Sequence, residues 1–139
     1  MSVARVHATT VAIGGRGVMI VGPSGAGKSD LALRLIDRGA VLVSDDYTEC
    51  SVRDGVLIAV APPTIAGKIE VRGIGIVDMP HACETPVAMV VTLADRVDRL
   101  PEPVTTHIAG MDLSALALIA FEASAPIKVE IALSRLVEE

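Results

Sequence analysis

The sequence predicts an α/β fold with a glycine-rich loop between a buried strand and a helix, and a β-rich chain beyond that helix. Three observations predict it. A short apolar run, Val18 to Val21, leads into Gly22-Pro23-Ser24-Gly25-Ala26-Gly27-Lys28-Ser29; residues 29–38 carry Leu31/Leu35 and Ala32/Ile36 at i, i+4 spacing; and from Tyr47 onward short β-branched segments alternate with turn signals. A chain of 139 residues buries about two thirds of its unfolded surface, so one domain over 1–139 is expected.

In chain order, Val3 to Ile13 has high β propensity, Gly14-Gly15-Arg16-Gly17 reads as a turn and Val18 to Val21 as the buried partner strand of a hairpin. The helix over 29–38 consists of good helix formers and ends with Gly39 at C′. Val41-Leu42-Val43 is too short and too β-branched for a helix, and delivers Ser44-Asp45-Asp46 at its carboxyl end. Tyr47 to Val52 and Val56 to Ala61 form a second hairpin around Asp54-Gly55. A loop from Pro62-Pro63 to Gly67 precedes Lys68 to Arg72 and then Gly73 to Asp78, with Val87 to Leu93 as a further strand. Asp95 to Pro103 reads as a polar loop, and 113–121 is apolar without a decisive period. The last element reads as a helix capped by Ser124, with Pro126 in its first turn and Ile127, Ile131, Leu133 and Leu136 supplying most of an apolar face. Its Lys128 to Arg135 face either meets a partner or solvates itself. No repeat, low-complexity tract or linker divides the chain.

Hydrophobic residues make up 51% and charged residues 21%, which excludes disorder. Tyr47 and Phe121 are the only aromatics, so base stacking on aromatic platforms is nearly excluded and the core must be aliphatic. A net charge of −5 argues against a nucleic-acid backbone as ligand. No apolar run reaches the roughly 18 to 20 residues of a membrane span, and MSVARVHATT lacks the apolar core of a signal peptide. A cytoplasmic protein with neither membrane nor nucleic-acid partner is therefore expected. Cys50 and Cys83 form no CxxC pair, and both read as small apolar residues.

Residues 22–29 satisfy G-x-x-x-x-G-K-[ST] at every fixed position, after a strand and opening a helix. The glycines let the backbone wrap so that N–H groups and the helix N-terminus face phosphates. Gly22, Ser24, Gly25, Ala26, Gly27, Lys28 and Ser29 are thus the candidate nucleotide-binding residues, Lys28 acting on the β/γ charge and the Ser29 hydroxyl on Mg²⁺. A glycine-rich turn that binds nothing would not require Lys-Ser at its end.

Such a loop does not by itself separate a switch, a hydrolase and a kinase, so the acidic partner matters. Asp46 with Asp45, Asp78 and Asp95 each end or follow an apolar strand candidate. Adjacent strand residues point to opposite faces, so Asp45 and Asp46 share one site only where the strand has ended. Ligands of open α/β sheets sit beyond strand carboxyl ends, where the helix N-terminus and Asp45/Asp46 would converge. A carboxylate there can take the proton of an attacking hydroxyl, which favours a kinase over a switch. In Glu70-Val71-Arg72-Gly73-Ile74-Gly75, Glu70 and Arg72 share one strand face. Alone, E-x-R would be an exposed ion pair. Followed by two glycines that permit close backbone approach, it reads as Glu70 for Mg²⁺ and Arg72 for a phosphate.

The strings GPSGAGKSDLALRLIDRGAVLVSDD and IEVRGIGIVD, in this order and spacing, resemble the catalytic domain of bacterial HPr kinase/phosphorylase, and His7 stands where that family carries a histidine. The resemblance runs from about His7 to Asp78, and is to the short, alphaproteobacterial type consisting of the C-terminal catalytic domain. It implies a fold related to the phosphoenolpyruvate-carboxykinase nucleotide domain. It implies an ATP- and Mg²⁺-dependent kinase of a serine in the phosphocarrier HPr, reversed in many members by phosphorolysis, and a homo-oligomer. By position, Lys28 and Ser29 serve nucleotide and metal, Asp45 is the general base or acid, Asp46 is its partner near the metal, Glu70 and Arg72 complete the site, and His7 lies nearby. The late arginine- and glycine-bearing loop of long members has no match in 95–113, and Arg96 and Arg99 read as solvated charges, so the reverse reaction is expected to be weak. The rivals are a small-molecule kinase, against which stands the lack of an obvious lid, and a nucleotide-binding regulatory module, against which stand intact Asp45 and Asp46. His81 and His107 read as loop residues without a role.

Overall fold

The structure, a computed structural model, describes residues 3–136. Gly14 and Gly15, both at positive φ, close the two-residue turn between β2 (Ala8–Ile13) and β3 (Arg16–Val21). The single strand expected from Val3 to Ile13 is interrupted at His7. The piece before it, β1 (Ala4–Val6), pairs with β5 (Thr48–Arg53), whereas β2 pairs with β3. After β3 comes α1 (Lys28–Asp37), which ends in a Schellman motif: the amide of Gly39 (φ 112°) donates to the Ile36 carbonyl, and that of Ala40 to Leu35. β4 (Val41–Ser44) returns alongside β2, and β5 turns at Asp54-Gly55 into β6 (Val56–Val60), as expected.

β7 (Lys68–Val71) and β8 (Gly75–Asp78) form a separate two-stranded hairpin, tied to the main core by the fully buried Ile69. β9 (Thr85–Leu93) starts against β6 and continues parallel to β3. A bulge there places Val87 and Val90 on one face and Met89 and Val91 on the other. β10 (Val104–Ile108) and β11 (Met111–Leu118) form a last hairpin, and β11 runs parallel to β9. The apolar stretch without a decisive period is thus largely strand. His107 lies on β10, 2.8 Å from Asp112, and not in a loop.

The sheet order β4-β2-β3-β9-β11 positions the site. β3, β9 and β11 are mutually parallel, and β4, antiparallel to β2, points the same way. Four strand carboxyl ends therefore meet at one edge, together with the start of β2. One face of this sheet buries Val18, Ile20, Leu42, Met89 and Val91 under α1 and α2 (Ala125–Ser134). The other face buries Met19, Val43, Val87 and Val90 against Cys50, Leu57 and Ala59 of β5 and β6. The α/β class, β-rich after the loop-bearing helix, holds.

Three local expectations are corrected. The face of α2 that packs is Ala125, Val129 and Leu133, while Ile127 and Ile131 are exposed. Apolar residues surround this helix, so its period does not choose a face, and contact with the sheet does. Ser124 makes no side-chain cap; its carbonyl accepts from the Lys128 amide instead. Cys50 is buried as expected, but Cys83 is exposed. The Lys128 to Arg135 stretch is tied down locally, through Lys128 to Glu122 and through Glu130 to Arg38 on α1.

Candidate active site

Residues 22–27 leave the end of β3, and the positive φ of Gly25 (80°) and Gly27 (102°) curls them into a loop closed onto the first turn of α1. Lys28 is the first helical residue and only 6% exposed. Its ammonium donates to the carbonyls of Gly22 (3.0 Å) and Pro23 (3.1 Å), which holds the charge inside the curve of the loop. Next to it, the Ser29 hydroxyl donates to Asp45 Oδ1 at 2.6 Å.

Asp45 and Asp46 lie just past the end of β4, and Asp46 takes the left-handed region (φ 70°). The strict alternation of a strand has therefore ended, and both residues line the same cleft. Asp45, 7% exposed, is held through both oxygens: Oδ1 accepts from Ser29 and from Thr9 Oγ1 (3.0 Å), and Oδ2 accepts the Glu70 amide (2.9 Å). Asp46 is exposed; its amide donates to Thr9 Oγ1 (3.1 Å), and its carboxylate meets His7 Nε2 at 3.0 Å. His7 in turn stacks on Tyr47, centroids 5.1 Å apart. Thr9, fully buried at the start of β2, thus ties both aspartates to the sheet.

The β7–β8 hairpin closes the third side. Ile69 faces the core while Glu70 and Lys68 point outward, and Arg72 follows at the turn. Among the described residues, neither the Glu70 nor the Arg72 side chain makes a hydrogen bond or an ion pair, so no exposed pair joins them. Both line a cleft of about 660 Å³ together with Ser24, Gly25, Gly27, Lys28, Ser29, Asp45 and Asp46. Of the residues singled out in the sequence, Gly22 and Ala26 shape the loop without lining the cleft, and His7 stands behind Asp46.

The competing carboxylates lie elsewhere. Asp78 pairs with Lys68 at 2.8 Å on the exposed side of the hairpin, which holds its carboxyl below the usual range through that hydrogen bond and charge. Asp95, exposed after β9, does not line the cleft, nor do Arg96 and Arg99. Thr9, Tyr47, Lys68 and Phe121 belong to the site's surroundings without matching a motif; Tyr47 and Lys68 flank Asp46 and Glu70 in sequence, whereas Thr9 and Phe121 are brought in from distant segments.

The Ser29 hydroxyl and the Asp46 and Glu70 carboxylates line the cleft, oxygen donors of the kind a hard divalent cation takes. Among the described residues no group of three His, Cys, Asp or Glu side chains forms a metal cage. Mg²⁺ takes one or two protein carboxylates and fills its remaining positions with phosphate oxygens and water.

A large mixed sheet with the glycine-rich loop at its centre, few helices and an acidic pair at a nearby strand end is an α/β fold consistent with the phosphoenolpyruvate-carboxykinase-like domain. The family model for the HPr Serine kinase C-terminal domain matches residues 1–100, and the chain belongs to that family. It is similar to the HPr kinase/phosphorylase of Clostridium botulinum, 47% identical over 75 residues, which is 54% of this chain and 25% of that protein. The Clostridium acetobutylicum protein of the same name is 46% identical over 76 residues, 55% and 25% of the two chains. These matches span about a quarter of the curated relatives. The solved Hpr(Ser) kinase/phosphatase from Coxiella burnetii superposes with a TM-score of 0.82 at 28% identity, covering 95% of this chain and 88% of that one. No helix among the described residues is long and apolar enough to cross a membrane.

Proposed function

We propose that this chain is an ATP- and Mg²⁺-dependent kinase that phosphorylates a serine of HPr or an HPr-like carrier, in the cytoplasm and as a homo-oligomer. The observation that carries the reading is one cleft in which a phosphate-binding loop, the Ser29–Asp45 contact and the free Glu70 and Arg72 side chains come together. The relatives named above support the kinase class and the acceptor.

In this reading the loop amides, Lys28 and the α1 N-terminus hold the β- and γ-phosphates. Ser29, Asp46 and Glu70 would hold Mg²⁺, which would supply screening of the phosphate charge. Asp45 accepts the proton of the attacking serine hydroxyl as the Oγ–P bond forms and the bond to ADP breaks. Its three hydrogen bonds fix its orientation and leave one lone pair of Oδ2 for that proton. Arg72 neutralises the transferring phosphoryl group, and His7 positions Asp46. Ile76 (65% exposed) lines the cleft and Ile74 (78%) stands at the turn of the same hairpin, exposed apolar side chains suited to a protein acceptor rather than to a small molecule.

The test is incubation with labelled ATP, Mg²⁺ and HPr-like proteins, followed by location of the phosphate, for the native chain and Lys28→Ala. Transfer to a serine that disappears in Lys28→Ala is expected. The variant loses two hydrogen bonds to loop carbonyls, a cost of about 1 kcal/mol each that leaves the chain folded. Normal turnover by folded Lys28→Ala would overturn the assignment.

A further inference from the structure

Phe121 lies outside the span matched by the family model, in the connection between β11 and α2. It is 64% exposed, and its distinction is the way it is held. Arg34 on α1 donates Nη1 to the Glu122 carbonyl (3.2 Å) and Nη2 to the Ala120 carbonyl, the residues on either side of Phe121. Asp30, one turn earlier, accepts from Arg34 Nε at 3.0 Å. The helix that begins at the phosphate-binding loop therefore also fixes the backbone that presents the ring.

The ring touches the loop itself. A Cβ built on Gly27 would lie 2.7 Å from Phe121 Cζ, so the ring edge rests on the Gly27 α-carbon. Phe121 also lines the cleft, whose walls include Ser24, Gly25 and Lys28. A single exposed apolar side chain is ordinary on a protein surface. One fastened to a phosphate-binding loop and lining its cleft is a built feature.

Strand order then orients a ligand. The loop leaves β3; Asp45 follows β4, two strands to one side, and Phe121 follows β11, two strands to the other. A triphosphate lying in the loop with its terminal phosphate toward Asp45 directs its opposite end toward Phe121. We infer that Phe121 is the stacking platform for the base of a nucleoside triphosphate, and that Arg34 is the residue that positions it. The inference rests on the nucleotide-binding part of the proposed function. Every base offers a π-face, so the platform adds affinity without choosing between adenine and guanine.

The test is calorimetric titration of ATP, GTP and inorganic tripolyphosphate, each with Mg²⁺, into the native chain, Phe121→Ala and Phe121→Trp. Phe121→Ala is expected to bind ATP and GTP about 5- to 150-fold more weakly and tripolyphosphate unchanged, with Phe121→Trp restoring both nucleotides. Arg34→Gln should weaken both nucleotides while sparing tripolyphosphate. Equal weakening of tripolyphosphate and ATP in Phe121→Ala would make the ring a mere support for the loop, and no weakening of ATP would remove it from the site; either overturns the inference while the nucleotide reading stands. If the native chain binds neither ATP nor tripolyphosphate, the nucleotide reading fails and the inference falls with it.

Discussion

Ser29 Oγ and Asp45 Oδ1 lie 2.6 Å apart, a hydroxyl-to-carboxylate hydrogen bond joining the first turn of α1 to the end of β4. Because the other oxygen of Asp45 accepts the Glu70 amide, the same carboxylate also anchors the β7–β8 hairpin. One side chain thus couples the glycine-rich loop, the strand edge and the Glu70-Arg72 segment, and its rotamer is set by groups from three elements.

Asp45→Asn is expected to lower the rate of phosphoryl transfer about a hundredfold or more while leaving nucleotide affinity within a few fold. An amide offers one acceptor oxygen where three donors converge, so a structural cost of about 1–3 kcal/mol accompanies it and is measured separately by denaturation. Asp78→Asn and Asp95→Asn, outside the cleft, should transfer normally. Full activity of Asp45→Asn with loss in Asp46→Asn would move the base to Asp46.

Phosphorolysis should be weak. It requires inorganic phosphate beside phosphoserine, two anions that call for more positive charge than Lys28 supplies. Among the described residues the cations lining the cleft are Lys28, Lys68 and Arg72; Lys68 is already paired with Asp78, and Arg96 and Arg99 lie outside. The check is loss of phosphate from phosphoserine-HPr with inorganic phosphate and no nucleotide, pyrophosphate being assayed as product. A rate matching the forward reaction would show a complete bifunctional site.

The packing of α2 is tested by a pair of truncations. Leu133, 3% exposed against the sheet and α1, should cost about 2–5 kcal/mol when changed to Ala. Ile131, 53% exposed, should cost about 0.5 kcal/mol or less. Denaturant unfolding of both variants reads the difference; equal costs would contradict the observed face.

The two cysteines should behave differently. Burial pushes the Cys50 thiol up from 9.0 to about 11, whereas Cys83 is exposed. Alkylation of the folded chain at pH 8 should label Cys83 alone, with Cys50 reacting only after unfolding. The raised value favours the neutral thiol in the folded state, so its contribution to stability is complete below about pH 9 and is lost as pH rises toward 11. Cys50→Ala should show a shallower alkaline decline in melting temperature.

Local chemistry determined much of this protein. A loop motif whose glycines need positive φ, a helix of good formers stopped by Gly39, and an Asp54-Gly55 turn are decided within a few residues of chain, and all three stand in the structure. The acidic pair was legible for the same reason, being the polar end of a short apolar strand. Where local signals are weak or shared, the fold decided. The β10–β11 turn is Ala109-Gly110, with Ala109 at φ 52°, a conformation alanine disfavours and the sequence therefore does not announce. In α2 both faces are apolar, and only the sheet beneath selects Val129 and Leu133 over Ile127 and Ile131. Thr9 reaching Asp45 across 36 positions, and Phe121 reaching Gly27 across the sheet, arise from strand order. Sequence patterns register neighbours along the chain through dihedral preference and periodicity, whereas these contacts exist because hydrogen-bonded strands bring distant segments to one sheet edge.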